Sequence, residues 1–295
     1  MKHFILVTLL FFIGNYLYSQ DDLEKLFDSE ETTEYASATF KASRIILGQS
    51  VEQPYTGNLI FDIQHQFGAI NQGYKEFFGL DQASTRLGFA YGITPWLMIG
   101  IGRTALEKTV DGSMKIRLIR QSKGEVNFPL TISYYGNIGM DGLDYSLIPI
   151  KYYFTHRLTF LNQLLIARKI NSSISLQLMP THIHRNLVDR VIDENDIFAL
   201  GAGGRFKITK RTSVNLEYFY VLSSQNAADF QNSLSLSFDI ETGGHIFQLY
   251  ITNSTGMLEQ QYITSSSDDW IEGDIHFGFN ISRTFVLKKP RNFNE

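Results

Sequence analysis

The residues with the clearest potential for chemistry are His182 and His184, which stand two positions apart in the sequence THIHR. On a β-strand, side chains two positions apart lie on the same face, so both imidazoles could reach one metal ion. The chain has no cysteine, and a third ligand would have to come from distant sequence. The alternative is a polar pair beside a surface loop. The sequence favours this alternative and predicts neither a bound metal nor a cofactor.

Patterns typical of enzymes have little support in this chain. Lipid hydrolases of the outer membrane use a serine or aspartate nucleophile with a histidine base. His65, His156, His245 and His276 lack a diagnostic context, and no GxSxG motif is present. The sequence GAGGRF (201–206) resembles a glycine-rich nucleotide loop, but it lies in an alternating segment with no helix after it. We therefore expect no enzymatic activity, and the glycines predict bending or close packing within a strand.

A third group of residues is charged or polar and alternates with apolar residues. In 233–240, for example, large apolar residues alternate with serines and Asp239. Neighbouring side chains point to opposite faces of a strand, so these strands have one apolar and one polar face. In a closed membrane barrel the polar face lines the lumen, whereas in a soluble β-sandwich it faces solvent. The candidates for lumen-facing residues are Asp62, Arg86, Arg103, Lys115, Arg117, Arg205, Glu217, Asp239 and His276.

Strands must position these residues, because the dominant period is two from Ala36 onward. The alternating segments are about 9–11 residues long, which suits a tilted strand that crosses a membrane. Tight connections alternate with long ones, as in outer-membrane barrels with short periplasmic turns and longer extracellular loops. The long connections lie near 68–82, 140–160, 182–195 and 253–270. The sequence predicts an all-β fold: a single antiparallel transmembrane barrel of about 12 strands, within a range of about 12–14.

The predicted strands lie near 57–67, 83–93, 96–104, 112–121, 128–139, 161–170, 173–182, 196–208, 211–222, 231–241, 244–252 and 271–285. Two segments remain open. Residues 161–170 fit a short helix nearly as well as a strand. Residues 36–48 could lie inside the lumen, line the periplasmic rim or pair as an extra strand.

The N-terminus has the features of a cleaved signal peptide over residues 1–20, with Lys2 before the apolar run FILVTLLFFIG. A membrane-anchoring helix is the alternative, but the run is short for a span of about 20 residues. The acidic residues 21–35 form a flexible lead-in, 36–287 the barrel and 288–295 a C-terminal tail. The formal net charge of −4 argues against a nucleic-acid partner.

Four stretches resemble an uncharacterised family of outer-membrane β-barrel proteins from Bacteroidota, known as a domain of unknown function. They are TFKASRIILGQSVE (39–52), GNLIFDIQHQFGAIN (57–71), FFGLDQASTRLGFAYGITPWLMIGIGR (77–103) and MPTHIHRN (179–186). The resemblance covers most of the chain beyond the signal peptide. It implies an outer-membrane location and one barrel, and it supplies no activity or functional residue.

The expected function is a narrow channel, a barrel that binds a small solute, or a structural membrane protein. About twelve strands lie between eight, which leave room only for packed side chains, and the 16–18 that enclose an aqueous channel. The alternatives are an outer-membrane hydrolase of lipid or lipopolysaccharide and a secreted soluble β-sandwich. The expected partners are outer-membrane lipid, the barrel-assembly machinery and a small solute. The sequence leaves the oligomeric state open.

Overall fold

Twelve antiparallel strands form one closed barrel in the computed structural model of the chain, which describes residues 32–146, 151–188, 193–222 and 230–288. The predicted signal peptide, most of the lead-in and most of the tail lie outside these residues. The last barrel strand pairs with the first, for example at Ile281 and Ile63, so the sheet has no free edge. The predicted barrel is therefore confirmed, and the β-sandwich alternative is wrong because the strands form a single sheet.

The barrel strands are β2 (Asn58–Ala69), β3 (Ala83–Gly92), β4 (Leu97–Thr104), β5 (Val110–Ile119), β7 (Thr131–Met140), β8 (Leu158–Lys169), β9 (Ile174–Arg185), β10 (Asp196–Lys207), β11 (Thr212–Val221), β12 (Leu234–Thr242), β13 (His245–Thr252) and β14 (His276–Val286). Two short strands, β1 (Glu34–Tyr35) and β6 (Ser122–Lys123), form a separate pair. One α-helix, α1, spans Glu259–Ser265. No helix among the described residues is long and apolar enough to cross a membrane.

The outer face of the barrel is apolar because alternate residues of each strand point outward. In β9, Leu176 and Leu178 are 52% and 50% exposed, whereas Gln177 between them is 1% exposed. A water-soluble surface would not present rows of large apolar side chains, whereas hydrocarbon accepts them. The predicted alternation thus corresponds to a real division between the outer face and the lumen.

The two mouths of the barrel differ in their connections. One, which we call the short-turn mouth, carries tight turns such as 243–244, where Gly244 has a φ of 114° that glycine adopts readily. The other, the long-loop mouth, carries long connections such as 141–157 and 253–275. The alternation has two exceptions: 105–109 at the long-loop mouth is short, and 120–130 at the short-turn mouth contains β6.

The ambiguous residues 36–48 divide between two of the expected positions: 36–38 lie at the rim of the short-turn mouth, and 39–48 lie inside the lumen. Residues 39–52, here called the plug, turn back on themselves between Arg44 and Gln49, which form an isolated antiparallel bridge. The Ile45 N–H donates to the Gly48 carbonyl at 2.8 Å, and the Ser50 N–H donates to that of Ser43 at 2.9 Å. The plug is therefore a tight hairpin whose tip is the apolar sequence Ile45-Ile46-Leu47.

The apolar tip is buried against an apolar sector of the lumen wall. Ile46 and Leu47 are 0% exposed. Most wall residues of this cluster lie on β8 to β11, and Tyr135 on β7 and Tyr250 on β13 complete it. Those on β8 to β11 are Leu161, Leu165, Ala167, Met179, Ile183, Ile197, Ala199 and Phe219. The sequence pattern predicted a polar lumen, but one sector of the lumen is apolar. It contains a small hydrophobic core that the plug completes.

The segment 161–170, which fits a helix nearly as well, belongs to strand β8. Leu165 points into the lumen and is fully buried, while Leu164 points outward and is 40% exposed. Both faces of β8 are apolar, because one meets the plug and the other meets the outer surface. Because apolar residues occupy both faces, β8 lacks the alternation of apolar and polar residues that identifies the other strands.

Candidate functional site: the plugged lumen

Glu217 on β11 holds the tip of the plug through its carboxylate. The carboxylate accepts hydrogen bonds from the backbone N–H groups of Ile46 at 3.4 Å, Leu47 at 3.3 Å and Gly48 at 3.0 Å. Successive N–H groups of a tight turn point the same way and form a concave site for an anion. Glu217 is 1% exposed, so the turn takes the place of the water that the carboxylate would otherwise bind.

Lys115 on β5 holds the two arms of the same hairpin. Its ammonium group donates to the backbone carbonyls of Ser43 at 3.2 Å, Ser50 at 2.7 Å and Glu52 at 2.9 Å. An ammonium group has three hydrogens to donate, and all three are directed at the plug. The burial of Lys115, which is 0% exposed, is therefore compensated by contacts to the N-terminal segment.

Further wall side chains bind the plug backbone at intervals along its length. Arg205 donates to the carbonyls of Ala38 at 2.8 Å and Thr39 at 3.1 Å. The Gln177 amide accepts from the Val51 N–H at 2.9 Å and donates to the Gln49 carbonyl at 2.7 Å. Gln248 and Asn280 donate to the carbonyls of Ile45 and Ile46, both at 2.8 Å. The plug is held by side chains throughout and belongs to no barrel strand.

Arg44 joins the plug to the opposite side of the lumen. Its guanidinium lies 3.4 Å from the carboxylate of Glu259 in α1, and Glu259 is fully buried. Burial lowers the pKa of Arg44, but the charge of Glu259 offsets this and holds the pKa above its usual value. The helix α1 closes the lumen from the long-loop mouth, so Arg44 and Glu259 meet where the two inserted segments touch.

Arg86 and Asp111 form a second buried ion pair on the wall. The Arg86 Nη2 atom lies 2.8 Å from both carboxylate oxygens of Asp111, and Asn137 donates to the same carboxylate at 3.0 Å. Gly102 leaves space for Arg86, because a Cβ atom there would lie 2.3 Å from its guanidinium. Asp62, Arg44 and Arg86 border one small cavity of about 30 Å³.

The other predicted lumen residues lie at different depths. Asp239 accepts hydrogen bonds from Ser237 at 2.9 Å and Gln248 at 3.0 Å. Arg117 lies near the short-turn mouth and donates to the Pro95 carbonyl at 3.2 Å. His276 lies near the long-loop mouth, with its Nε2 atom 2.6 Å from the carboxylate of Asp268. These side chains line the lumen from one mouth to the other.

The prediction for Arg103 was wrong, because this side chain lies on the outer face. In β4 it shares a face with Ile99 and Ile101 and pairs across the strands with Leu87 and Val110. Arg103 is the last but one residue of the strand, next to the long-loop mouth. A charged side chain there can reach the interface, so the outward position costs far less than it would at the bilayer centre. The alternation within 97–103 already placed Arg103 with the apolar set.

His182 and His184 also lie on the outer face, close to the long-loop mouth. Both imidazoles contact one carboxylate oxygen of Asp196, His182 at 2.9 Å and His184 at 2.8 Å. Among the described residues, no group of three or more His, Cys, Asp or Glu side chains is arranged to hold a metal ion. The role of Asp196 was missed because it lies on the neighbouring strand, twelve residues further along the chain.

Sequence reasoning also missed Arg44, Asp111 and Glu259. Asp111 lies an even number of positions from Lys115 in β5, so both side chains point into the lumen and the alternation could have identified Asp111. Arg44 and Glu259 lie in segments with no period-two pattern, and only the folded lumen brings them together. Gly203, in the glycine-rich stretch of β10, faces the plug: a Cβ atom there would lie 2.4 Å from Cδ1 of Ile45.

Several buried polar atoms of the wall and of α1 have no hydrogen-bond partner among the described residues. Within the described part of the chain, buried atoms without a hydrogen-bond partner include both amide atoms of Gln64, Oδ1 of Asn215, Oδ1 of Asn280 and Oε2 of Glu259. A buried polar group without a partner costs about 1–3 kcal/mol, and water can satisfy it. The wall chemistry therefore suits a hydrated lumen better than a permanently dry one.

The fold and lumen define a closed, membrane-bound β-barrel. The chain belongs to the family described as "Membrane bound beta barrel domain (DUF5777)", whose sequence pattern matches residues 40–285. The match includes residues 40–52, which is all of the plug except its first residue. A comparison with curated protein sequences gave no significant match.

Several solved structures of porins and channels match this chain over most of its length. The match to the NanC porin covers 78% of this chain and 100% of the porin chain, with a TM-score of 0.49 and 6% sequence identity. The COG4313 outer membrane channel from Pseudomonas putida F1 covers 80% over 98% of its own length, with a TM-score of 0.47 and 12% identity. The KdgM porin covers 77% over 99%, with a TM-score of 0.45 and 7% identity. The likeness is one of barrel architecture alone.

Proposed function

We propose that this protein is a gated channel for small polar solutes, closed by its own N-terminal segment. The observation that carries the proposal is the way the plug is attached. Residues 39–52 lie outside the barrel sheet and are held by side-chain contacts from Lys115, Glu217 and Arg205. Such contacts can be exchanged for water one at a time, because each of these side chains can also form hydrogen bonds with water.

The charged wall supports a conducting open state. With the plug withdrawn, Lys115, Glu217 and Arg205 would line a water-filled passage together with the Arg86 and Asp111 pair. A twelve-strand barrel is wider than the eight-strand barrels whose interiors are filled by wall side chains alone. The competing role is purely structural, and a structural barrel need not conduct solutes even when the plug has been removed.

Conductance in a planar lipid bilayer tests this proposal. We would replace residues 39–52 by a glycine–serine segment of equal length, which keeps the chain connected but removes the apolar tip and its contacts. The proposal predicts closed or rarely open channels for the native chain and stable ion conductance for the variant. Equal and negligible conductance for both proteins, each verified as a folded barrel by its heat-modifiable gel migration, would refute the channel and favour a structural role.

Ion selectivity tests the role of the lumen charges. In the plug-replaced chain, Arg86→Glu places a negative charge on the lumen wall, whereas Arg103→Glu makes the same chemical change on the outer face. The proposal predicts a shift toward cation preference for Arg86→Glu and unchanged selectivity for Arg103→Glu. Identical reversal potentials for the two variants would show that the wall charge does not control permeation.

We further propose that the barrel resides in a bacterial outer membrane, after cleavage of residues 1–20 and insertion by the barrel-assembly machinery, and that its source belongs to the Bacteroidota. The apolar outer face and the signal-like N-terminus support this location. In this orientation the short-turn mouth faces the periplasm. Fractionation of the native host should place the protein in the outer membrane with a mature N-terminus near Asp21, and recovery from the soluble periplasm would contradict the assignment.

A further inference from the structure

The helix α1 is inserted into the long-loop mouth. Its residues Glu259 to Thr264 are all buried, although they belong to the connection between β13 and β14. The Gln260 amide donates to Asn137 Oδ1 at 2.8 Å, and the absence of a side chain at Gly139 leaves space for it. The Gln261 amide donates to Thr109 Oγ1 at 3.3 Å. The barrel wall is therefore shaped to receive this helix.

The helix and the plug share one buried interface. Arg44 of the plug pairs with Glu259 of α1 at 3.4 Å. Phe219 of the wall contacts both segments: its ring packs edge-on against Tyr262 with centroids 5.4 Å apart, and it lies 3.1 Å from the position of a Cβ atom at Gly48. A displacement of α1 would therefore leave the Arg44 charge unpaired and expose the apolar side of the plug.

The plug leads directly to the opposite mouth. The Ala36 N–H donates to the Gln121 carbonyl at 2.8 Å, and Arg120 donates to the Ala36 carbonyl at 3.1 Å. Immediately before this point, Glu34 and Tyr35 pair with Ser122 and Lys123. A continuous series of contacts thus runs from α1, through the plug, to the N-terminal residues at the short-turn mouth.

Above α1 the long-loop mouth contains a cavity of about 160 Å³, which we call the vestibule. Gln260, Gln261 and Ser265 border it from α1, and Tyr145 and Arg157 border it from the connection between β7 and β8. Its volume is that of about five water molecules, at about 30 Å³ each. Its lining offers hydrogen-bond donors, acceptors and charges of both signs. This chemistry suits a small, polar solute that both donates and accepts hydrogen bonds.

We propose that the barrel is a relay: a small polar solute in the vestibule displaces α1, and the plug transmits this displacement to the N-terminal segment at the opposite mouth. The relay rests on the proposed function only in requiring that the plug can move. Coupling is reciprocal, so loosening the plug must also loosen α1. Two independently moving closures would not show this reciprocity.

Hydrogen exchange of the full-length barrel tests the coupling without knowledge of the natural solute. The Glu259→Met substitution leaves Arg44 buried without its partner, and the relay predicts exchange at the amides of Ile46, Leu47 and Gly48 that is about tenfold faster or more. The Arg44→Met substitution should accelerate exchange across Glu259–Ser265 in return. The double variant removes both charges, so neither is left buried without a partner. Its exchange should therefore accelerate by less than the product of the two accelerations caused by the single variants.

A thiol probe tests transmission from the vestibule itself, since the chain has no native cysteine. Ser265→Cys, at the exposed end of α1, would be labelled with a bulky neutral maleimide. Labelling should accelerate exchange at Ile46 to Gly48 about tenfold, the change that 1.4 kcal/mol produces. Tyr74→Cys is the matched control, because it is 77% exposed at the same mouth but does not border the vestibule.

The outcomes separate the relay from the proposed channel. Complete labelling of Ser265→Cys with unchanged exchange at Ile46 to Gly48 would overturn the relay, as would multiplicative effects of Arg44→Met and Glu259→Met. Failure of the plug-replaced barrel to conduct would overturn the channel but leave a measured coupling intact. Heat-modifiable migration verifies that each variant still forms a barrel before its exchange is compared.

Discussion

One added methyl group at Gly203 would reach into the plug. The Cβ atom of Gly203→Ala would lie 2.4 Å from Cδ1 of Ile45, well inside van der Waals contact. Overpacking of this kind costs about 1–3 kcal/mol. If only the plugged state bears this cost, the ratio of released to inserted plug rises about 5- to 150-fold.

Single-channel recording in a planar bilayer measures this change as the fraction of time the channel is open. Gly112→Ala is the matched control, because a Cβ atom at that outward-facing glycine meets nothing within 4 Å. The second-site change Ile45→Val removes Cδ1, the atom that the new Cβ meets most closely. We therefore expect Gly203→Ala/Ile45→Val to recover a large part of the native closure.

The reasoning fails if Gly203→Ala and Gly112→Ala give the same open fraction. It also fails if Ile45→Val leaves the Gly203→Ala phenotype unchanged, because the effect would then arise in the barrel wall and not in the plug. Heat-modifiable migration should be normal in all three variants, since β10 keeps its backbone pairing with β9 and β11.

Three further perturbations have defined outcomes. Glu217→Gln keeps one acceptor oxygen but loses the charge that binds three backbone N–H groups, so hydrogen exchange at Ile46 to Gly48 should accelerate about tenfold. Glu76→Gln makes the same chemical change at an exposed side chain in the connection between β2 and β3, and it should leave this exchange unchanged. Lys115→Met leaves the carbonyls of Ser43, Ser50 and Glu52 without their shared donor; faster exchange of the plug is expected, and native exchange would contradict its role. The N–H of Asp269 donates to the Asp274 carboxylate and lowers the pKa of that carboxyl, so this contact is present at neutral pH and is lost as the pH falls through the lowered pKa. Hydrogen exchange of the Asp269 amide, corrected for intrinsic pH effects, should therefore lose protection at that pH in the native chain. In Asp274→Asn the protection of the same amide should not change with pH.

Period-two alternation predicted the barrel because the outer apolar face imposes it on nearly every strand. It was uninformative in β8, where Leu164 meets the outside and Leu165 meets the plug. Arg103 was assigned to the lumen because of its charge, although its position in the alternation placed it on the outer face with Ile99 and Ile101. The alternation is a stronger criterion than the charge, because neighbouring residues of a strand cannot share a face.

The plug could not be placed from its own sequence. Ile45, Ile46 and Leu47 form an apolar run without a period, and most of their partners lie on strands more than a hundred residues away. The same holds for Arg44 and Glu259, which are 215 positions apart. Local patterns determine which segments become strands, whereas the filling of the lumen depends on complementarity between distant segments that a single sequence does not reveal.

Thiol accessibility of the plug tests the central claim most directly, because the native chain has no cysteine. Leu47→Cys places a thiol at the fully buried tip, and Tyr55→Cys places one three residues beyond the plug, where the native side chain is 74% exposed. A charged, membrane-impermeant reagent added to the solubilised barrel should label Tyr55→Cys rapidly and Leu47→Cys at least about tenfold more slowly, as 1.4 kcal/mol or more of protection requires. Equal labelling rates at the two positions would contradict a plugged lumen.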